Sequence, residues 1–150
     1  MPKVIDVAHY FQATIGTDPE SDLTPLKLQR LCAYAQGIHL AKYKEPLFTD
    51  TIAAWNVGPV IPYLYQIYSK YGRRPVPAYE MDKIPDSAFT LNQKLICEFV
   101  RVEYGGLSPA TLREYALSDF PGEWGSLNPI PRDRIMESFI KSNLTQVYHA

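Results

Sequence analysis

The strongest hydrophobic pattern in the chain runs from Pro25 to about Lys42. Leu28, Leu31, Cys32, Ala35 and His39 recur at three- and four-residue steps, the period of one face of an α-helix. Leu26, Ile38 and Leu40 broaden the stripe, so the spacing predicts a central helix contacted from two sides. Lys27, Gln29 and Arg30 fall on what would be its wet side. Thr24-Pro25 supplies a cap and a first-turn proline, whose missing N–H has no helical partner to lose. A second patterned stretch runs from Ala54 to Gly72. It ends a short apolar run at Trp55, turns through Asn56, Val57 and Gly58, and predicts a helix from Pro59 to Tyr71. Val60, Tyr63, Leu64, Ile67, Tyr68 and Tyr71 form its apolar and largely aromatic face, Tyr65 lies off that face and exposed, and Gly72 is the stop.

The remaining elements follow from the same periodicity. Met1 to Ile15 predicts a helix with Val4, Val7, Ala8 and Phe11 on one face, broken by Gly16 to Pro19. Thr90 and Gln93 have the spacing of a capping box. The helix they open is expected to bury Leu91, Leu95, Ile96, Phe99, Val100 and Val102 and to end at Gly105-Gly106. Ser108-Pro109 starts another, with Leu112, Tyr115 and Ala116 inward. A last helix from about Arg132 to Ser142 is expected to bury Ile135, Met136, Phe139 and Ile140. Residues 43–48, containing Pro46, residues 73–86, containing Pro75, Pro77 and Pro85, and the Pro/Gly-rich residues 119–131 read as connections. Residues 143–150 read as a fraying tail. The expectation is an all-α chain, a compact single-domain bundle of about six helices. At most a short strand-like segment lies near Ile52–Trp55.

Composition narrows the functional classes. The 150 residues suit one domain, spanning 1–150 with a core at about 3–142. A hydrophobic content of 46% and a charged content of 21% are those of a folded globular chain. The formal net charge of −1 does not favour a nucleic-acid partner, which needs a large basic face. No apolar run is long enough to span a membrane and no leader precedes the first helix, so the chain reads as cytoplasmic. The two cysteines, Cys32 and Cys97, sit inside apolar helical patterns and are expected as buried thiols rather than a disulfide. Eleven tyrosines are more than a core requires, and tyrosine suits half-wet interfaces.

Each constellation with catalytic or metal-binding potential has a plainer reading. Cys32 and His39 lie seven apart on one helix face, but a structural zinc site needs about four ligands and no close paired spacing is present. Cys97 sits in a helix interior with nothing to lower its pKa. There is no GxSxG turn, and Gly105-Gly106 closes a helix instead of opening a phosphate cradle. The expectation is a non-enzymatic chain without metal or cofactor. The basic cluster Lys70, Arg73 and Arg74 neutralises few phosphates and suits a helix C-terminus.

The run Thr24-Pro25-Leu26-Lys27-Leu28-Gln29-Arg30-Leu31, followed by Tyr34-Ala35-Gln36-Gly37, resembles the LKLQKLLYYAQG signature of the Panacea domain, the SocA-like antitoxins or phage-associated GepA-like proteins. A second resemblance comprises Pro46-Leu47-Phe48, Ala54-Trp55, Gly58-Pro59-Val60, Pro62, Tyr65, Tyr68 and Tyr71-Gly72. A looser third comprises Tyr104-Gly105, Leu107-Ser108, Leu112, Trp124 and the closing helix at Ile135. The resemblance implies a helical antitoxin of bacterial or prophage origin, usually encoded beside its toxin. One such member is an adaptor that delivers its toxin to the ClpXP protease. It implies function by binding a cognate toxin protein, with a ClpXP-type protease as a further partner. The alternative is a phage or host regulatory module that binds another protein, or binds DNA through Lys70, Arg73 and Arg74. This chain matches only the core domain of relatives that carry extra segments, which argues against its own DNA-binding autoregulation. Ile38 and His39 replace aromatic positions common after the Gln-Gly step. Candidate partner-binding residues are Lys27, Gln29, Arg30, Trp55, Tyr63, Tyr65, Tyr68, Arg73 and Arg74. For Lys27 and Gln29 a structural role pinning the Trp55 turn is an equal alternative. The two signature halves are expected to pack together, the Trp55 turn and Gly58-Pro59 against Leu28 and Leu31.

Overall fold

A computed structural model describes residues 1–142; the predicted tail at 143–150 lies outside the described residues. Six α-helices appear among those residues: α1 (Val4–Thr14), α2 (Pro25–Tyr43), α3 (Pro62–Tyr68), α4 (Leu91–Tyr104), α5 (Pro109–Asp119) and α6 (Arg132–Lys141). A two-stranded antiparallel hairpin, β1 (Ala53–Trp55) and β2 (Gly58–Val60), joins them. The fold is therefore mostly helical, as the periodicity predicts. The caps fall where the sequence places them. Thr24 Oγ1 accepts from Lys27 N at 3.3 Å, Ser108 Oγ from Thr111 N at 3.1 Å, and Thr90 and Gln93 cap each other reciprocally, satisfying donors that a helix start otherwise leaves bare.

The central helix is more enclosed than its stripe suggests. Helices α1, α3, α4, α5 and α6 and strand β2 all pack on α2, and every residue of α2 but Leu26, Lys42 and Tyr43 is buried. Tyr34 is the largest fully buried side chain. Its ring stacks on Tyr104 at 4.3 Å between centroids and meets Phe120 edge-on. Its hydroxyl donates to Asp119 at 2.5 Å. Burial pushes that hydroxyl's pKa up, and the Asp119 carboxyl beside it reinforces the shift. Burial also raises Asp119 above the usual carboxylate value, against the hydrogen bond from Tyr34. Cys32 and Cys97 are both free and buried. Burial raises the Cys97 thiol to about 12 and Cys32 well above its ordinary value, so both act as small apolar groups.

Four expectations are corrected. The helix predicted from Pro59 begins at Pro62, and Gly58–Val60 is a strand. Ala53 pairs with Val60, Ala54 with Pro59 and Trp55 with Gly58, and Gly58, with φ +112°, closes the turn in a conformation few other residues adopt. The loop 119–131 lies along the other edge of β1, through Ala54 N to Asn128 O at 2.9 Å and Ile130 N to Ile52 O at 2.8 Å, which covers an otherwise open edge. On α4 the buried stripe is Ile96, Val100 and Tyr104 with Cys97 and Phe99; Leu91, Leu95 and Val102 are exposed. Val102 lies two residues, about 200°, from Val100, and so points away. Tyr115 and Ile140 are exposed for a similar reason, each one residue off the inward positions Ala116 and Phe139, while Met136 is half-buried. The fourth correction concerns Lys27, Gln29, Arg30 and Tyr63 and belongs to the site.

Candidate functional site

The two signature halves do pack together, joined by side chains that the sequence pattern leaves wet. Gln29, 3% exposed, inserts its amide between α2 and α3. Its Oε1 accepts from Ile61 N at 2.8 Å and its Nε2 donates to Ile61 O at 3.1 Å, so one side chain substitutes for a ladder partner. Gln36, two turns further along α2, does the same for the loop after it. Its Nε2 donates to Phe48 O at 2.7 Å, and its Oε1 accepts from Leu47 N at 2.7 Å and from Phe48 N. Arg30 donates from Nη2 to Val57 O at 3.1 Å and from Nη1 to Pro109 O at 3.2 Å, tying the hairpin turn to the start of α5. Burial, with Arg113 nearby, lowers its pKa to about 10, which leaves it charged at neutral pH. Lys27 is wholly buried, and its Nζ pairs with Asp22 Oδ1 at 2.5 Å.

Lys27 and Arg30 are thus withdrawn from the surface, while Gln29, though nearly buried and held by the Ile61 backbone, lines the groove described below. The reason lies in the number of elements around α2: a helix packed on every side has no wet face, and its polar residues must find internal partners. For Gln29, which holds Ile61 just after β2, this is close to the structural alternative of pinning the Trp55 turn; Arg30 is the residue that bonds the turn itself, at Val57 O, whereas Lys27 pairs with Asp22 in the loop before α2.

The aromatic candidates divide. Trp55 at the end of β1 meets Tyr65 of α3 edge-on, centroids 4.9 Å apart. Between them and the N-terminus of α2 lies a groove of about 330 Å³, with Pro25, Leu26, Val57 and Tyr68 among its walls. Tyr68 is nearly buried and donates to Gln12 Oε1 at 2.6 Å, so it shapes the floor while tied to α1. Tyr63 is exposed, contrary to its predicted place on the apolar face. It lines a different hollow with Met1 to Ile5, because a helix that starts at Pro62 and runs seven residues buries Leu64 and Tyr68 and turns Tyr63 away. Arg73 and Arg74, both exposed, follow Gly72, which also lines the groove. The groove therefore gathers four of the predicted site residues, Gln29, Trp55, Tyr65 and Tyr68, with Arg73 and Arg74 in the following residues. Leu26 and Val57, not among the predicted site residues, belong to it as well.

The connector 73–86 is fixed to the body. Val76 N donates to Leu23 O at 2.8 Å, Gln12 Nε2 to Pro77 O at 3.0 Å, and Tyr79 stacks on His9 at 3.7 Å. Among the described residues no cluster of three or more His, Cys, Asp or Glu is arranged to hold a metal ion. No helix among them is long and apolar enough to cross a membrane.

The described residues thus form a small, mostly helical body with a partly open aromatic groove. The comparison with known families is more specific: residues 28–124 match the model of the SocA-like antitoxin, Panacea domain, and the chain belongs to that family. The match covers the central helix, the hairpin, α3, α4, α5 and Trp124. No curated protein and no solved structure matches the chain.

Proposed function

We propose that the chain is an antitoxin that neutralises a toxin protein by binding it directly, without catalysing a reaction. The observation that carries this reading is the groove between α2, the hairpin and α3, a partly open aromatic surface formed from family-signature residues. Trp and Tyr at such a surface are the side chains that most often anchor protein interfaces, because they bury large area with little loss of conformational freedom. Family membership supplies the class of partner, a toxin, and leaves its identity to the neighbouring gene.

Co-expression tests the reading. The gene beside the one encoding this chain is expected to arrest growth when induced alone, and this chain, induced with it, to restore growth. A neighbour that is harmless alone, or an arrest that this chain does not relieve, overturns the proposal. Toxin half-life with and without a ClpXP-type protease then separates two routes. A bound toxin that persists is blocked in place; one that disappears in a protease-dependent way has been delivered for degradation.

A further inference from the structure

The charge around the groove narrows what can occupy it. From Thr51 to Tyr79 the chain carries three cations, Lys70, Arg73 and Arg74, and no carboxylate. The other twelve Lys and Arg and all sixteen Asp and Glu lie outside that segment, so the segment carries a formal charge of +3 on a chain whose net charge is −1; Asp22, the carboxylate nearest in sequence to the Pro25 wall, is paired with Lys27. All three cations are exposed, and none pairs with a carboxylate among the described residues. Two of them are held near the groove's end. Arg74 Nε donates to Tyr71 O at 3.3 Å, and Lys70 Nζ lies 5.4 Å from the Tyr71 ring centre. Beneath the opposite wall, the buried guanidinium of Arg30 bonds two carbonyls, one of them that of Val57, and it too pairs with no carboxylate among the described residues. The walls themselves contain no ionised side chain: Pro25, Leu26, Trp55, Val57, Tyr65 and Tyr68 make most of them. A volume of about 330 Å³ is at the small end for ligand pockets and has room for about one bulky side chain.

We propose that the groove docks an acidic linear segment of the partner toxin. One large apolar side chain seats against Trp55, Tyr65 and Tyr68, and its flanking carboxylates face Arg73 and Arg74. The toxin as owner of that segment rests on the antitoxin reading; the segment's chemistry rests on the groove alone. Duplex DNA fits less well, since three cations neutralise few phosphates and an apolar groove gives a phosphate backbone nothing.

The test pans a displayed library of random short peptides on the full chain and measures the winners by fluorescence polarisation. Enriched sequences are expected to share one large apolar residue flanked by Asp or Glu. Their affinity is expected to fall at least about ten-fold in Trp55→Ala, as for an interface anchor. It is also expected to fall several-fold in Arg73→Glu/Arg74→Glu and on raising the salt concentration. Tyr65→Ser, at a half-exposed position, repeats the anchor test in case Trp55→Ala unfolds, and circular dichroism checks each variant. Winners without acidic residues, or binding unchanged in both anchor variants, overturn the proposal. So does self-association of the chain that those variants abolish, which would make a second copy the occupant. A duplex DNA probe whose binding needs Arg73 and Arg74 but not Trp55 overturns it as well. The growth assay keeps the two readings apart. If the unaltered chain rescues growth and the folded anchor variants rescue equally, the antitoxin reading stands and the groove is not its toxin site.

Discussion

A primary amide carries an acceptor and two donors on one plane, the same complement a peptide offers a neighbouring strand. Gln36 uses this to hold the turn at Leu47 and Phe48, satisfying two backbone N–H groups and one carbonyl in a place water does not reach. Gln36→Ala leaves all three bare, and at about 1 kcal/mol or more for each unsatisfied buried group the expected loss is about 3 kcal/mol. Gln29→Ala is expected to cost less, about 1 kcal/mol, because Ile61 O keeps its bond from Tyr65 N at 3.1 Å and the Ile61 N–H is the one group left bare. Urea midpoints at constant m-value check both the size and the order. Equal losses, or losses under about 0.5 kcal/mol, would show that the amides are replaceable. Lys27 illustrates a different economy. Its ammonium is sealed from water with one half-exposed carboxylate as partner, an arrangement that costs nearly as much desolvation as it returns in attraction. None of these roles can be read from periodicity, which sorts positions into apolar and polar but does not say where a polar side chain ends. What the signature spacing does show is that Gln29 and Gln36 are seven apart, two helical turns, and so face the same side of α2.

At the level of elements, the contact between α2 and α6 turns on Gly37. A Cβ built there would lie 2.5 Å from two ring carbons of Phe139, and that ring is fully buried and cannot swing away. Glycine to alanine inside a helix ordinarily gains up to about 1 kcal/mol. Here the overpacking, typically about 1–3 kcal/mol, is expected to win, so Gly37→Ala destabilises. Phe139→Leu in the same chain should relieve the clash, giving a double variant at least about 1 kcal/mol more stable than the two single losses predict. Chemical denaturation of the four proteins measures that coupling, and simple additivity would mean the helices slide apart to make room. Elements defined by caps were legible in advance. Thr24, Thr90 and Ser108 each precede a helix at the predicted residue because an N-cap is a local device. The start of α3 was misplaced, although the sequence held the signal against Pro59. In a helix beginning there, Pro62 would be the fourth residue, whose N–H makes the first helical bond and which proline lacks. The broad apolar faces assigned to α4, α5 and α6 failed differently. Leu91, Val102, Tyr115 and Ile140 are exposed, since each of these helices touches the core along one narrow stripe and only α2 is enclosed. Trp55 and Tyr65 of the groove were legible as aromatics near the turn, whereas Leu26 and Val57 acquire their place from tertiary packing alone.

For the whole molecule, two histidines tie peripheral segments to the helical body and set how it responds to acid. His9 on α1 stacks on Tyr79 of the connector, with Asp6 one turn away; burial lowers its pKa from the ordinary 6.5 and Asp6 opposes the shift. His39 on α2 bonds the Glu45 carbonyl through Nδ1 at 2.7 Å and packs near Tyr43. Burial lowers its pKa too, against that carbonyl and the Glu45 charge. A histidine whose folded pKa lies below its unfolded one binds fewer protons when folded, so stability rises with pH through the interval between the two values. Both contributions are complete above pH 6.5 and are lost as pH falls below it toward the folded values. The slope is at most about 1.4 kcal/mol per pH unit for each histidine. Two carboxylates titrate at more acid pH with opposite signs. Arg101 and then Tyr10, through hydrogen bonds, hold Glu98 at about 2, so its stabilisation is lost as pH falls from its ordinary 4.5 toward 2. Asp119, raised by burial, is relieved by protonation. The histidine window is therefore best read between pH 7.5 and 5.5. Unfolding free energy is expected to be level down to about pH 6.5 and to decline below it. His9→Gln should flatten part of that decline and His9→Gln/His39→Gln most of it, as followed by urea titrations across the range. A chain that gains stability on acidification in this window would mean that the folded protein binds these protons more tightly than the unfolded chain, and a double variant with an unchanged slope would mean that groups other than the two histidines set the decline.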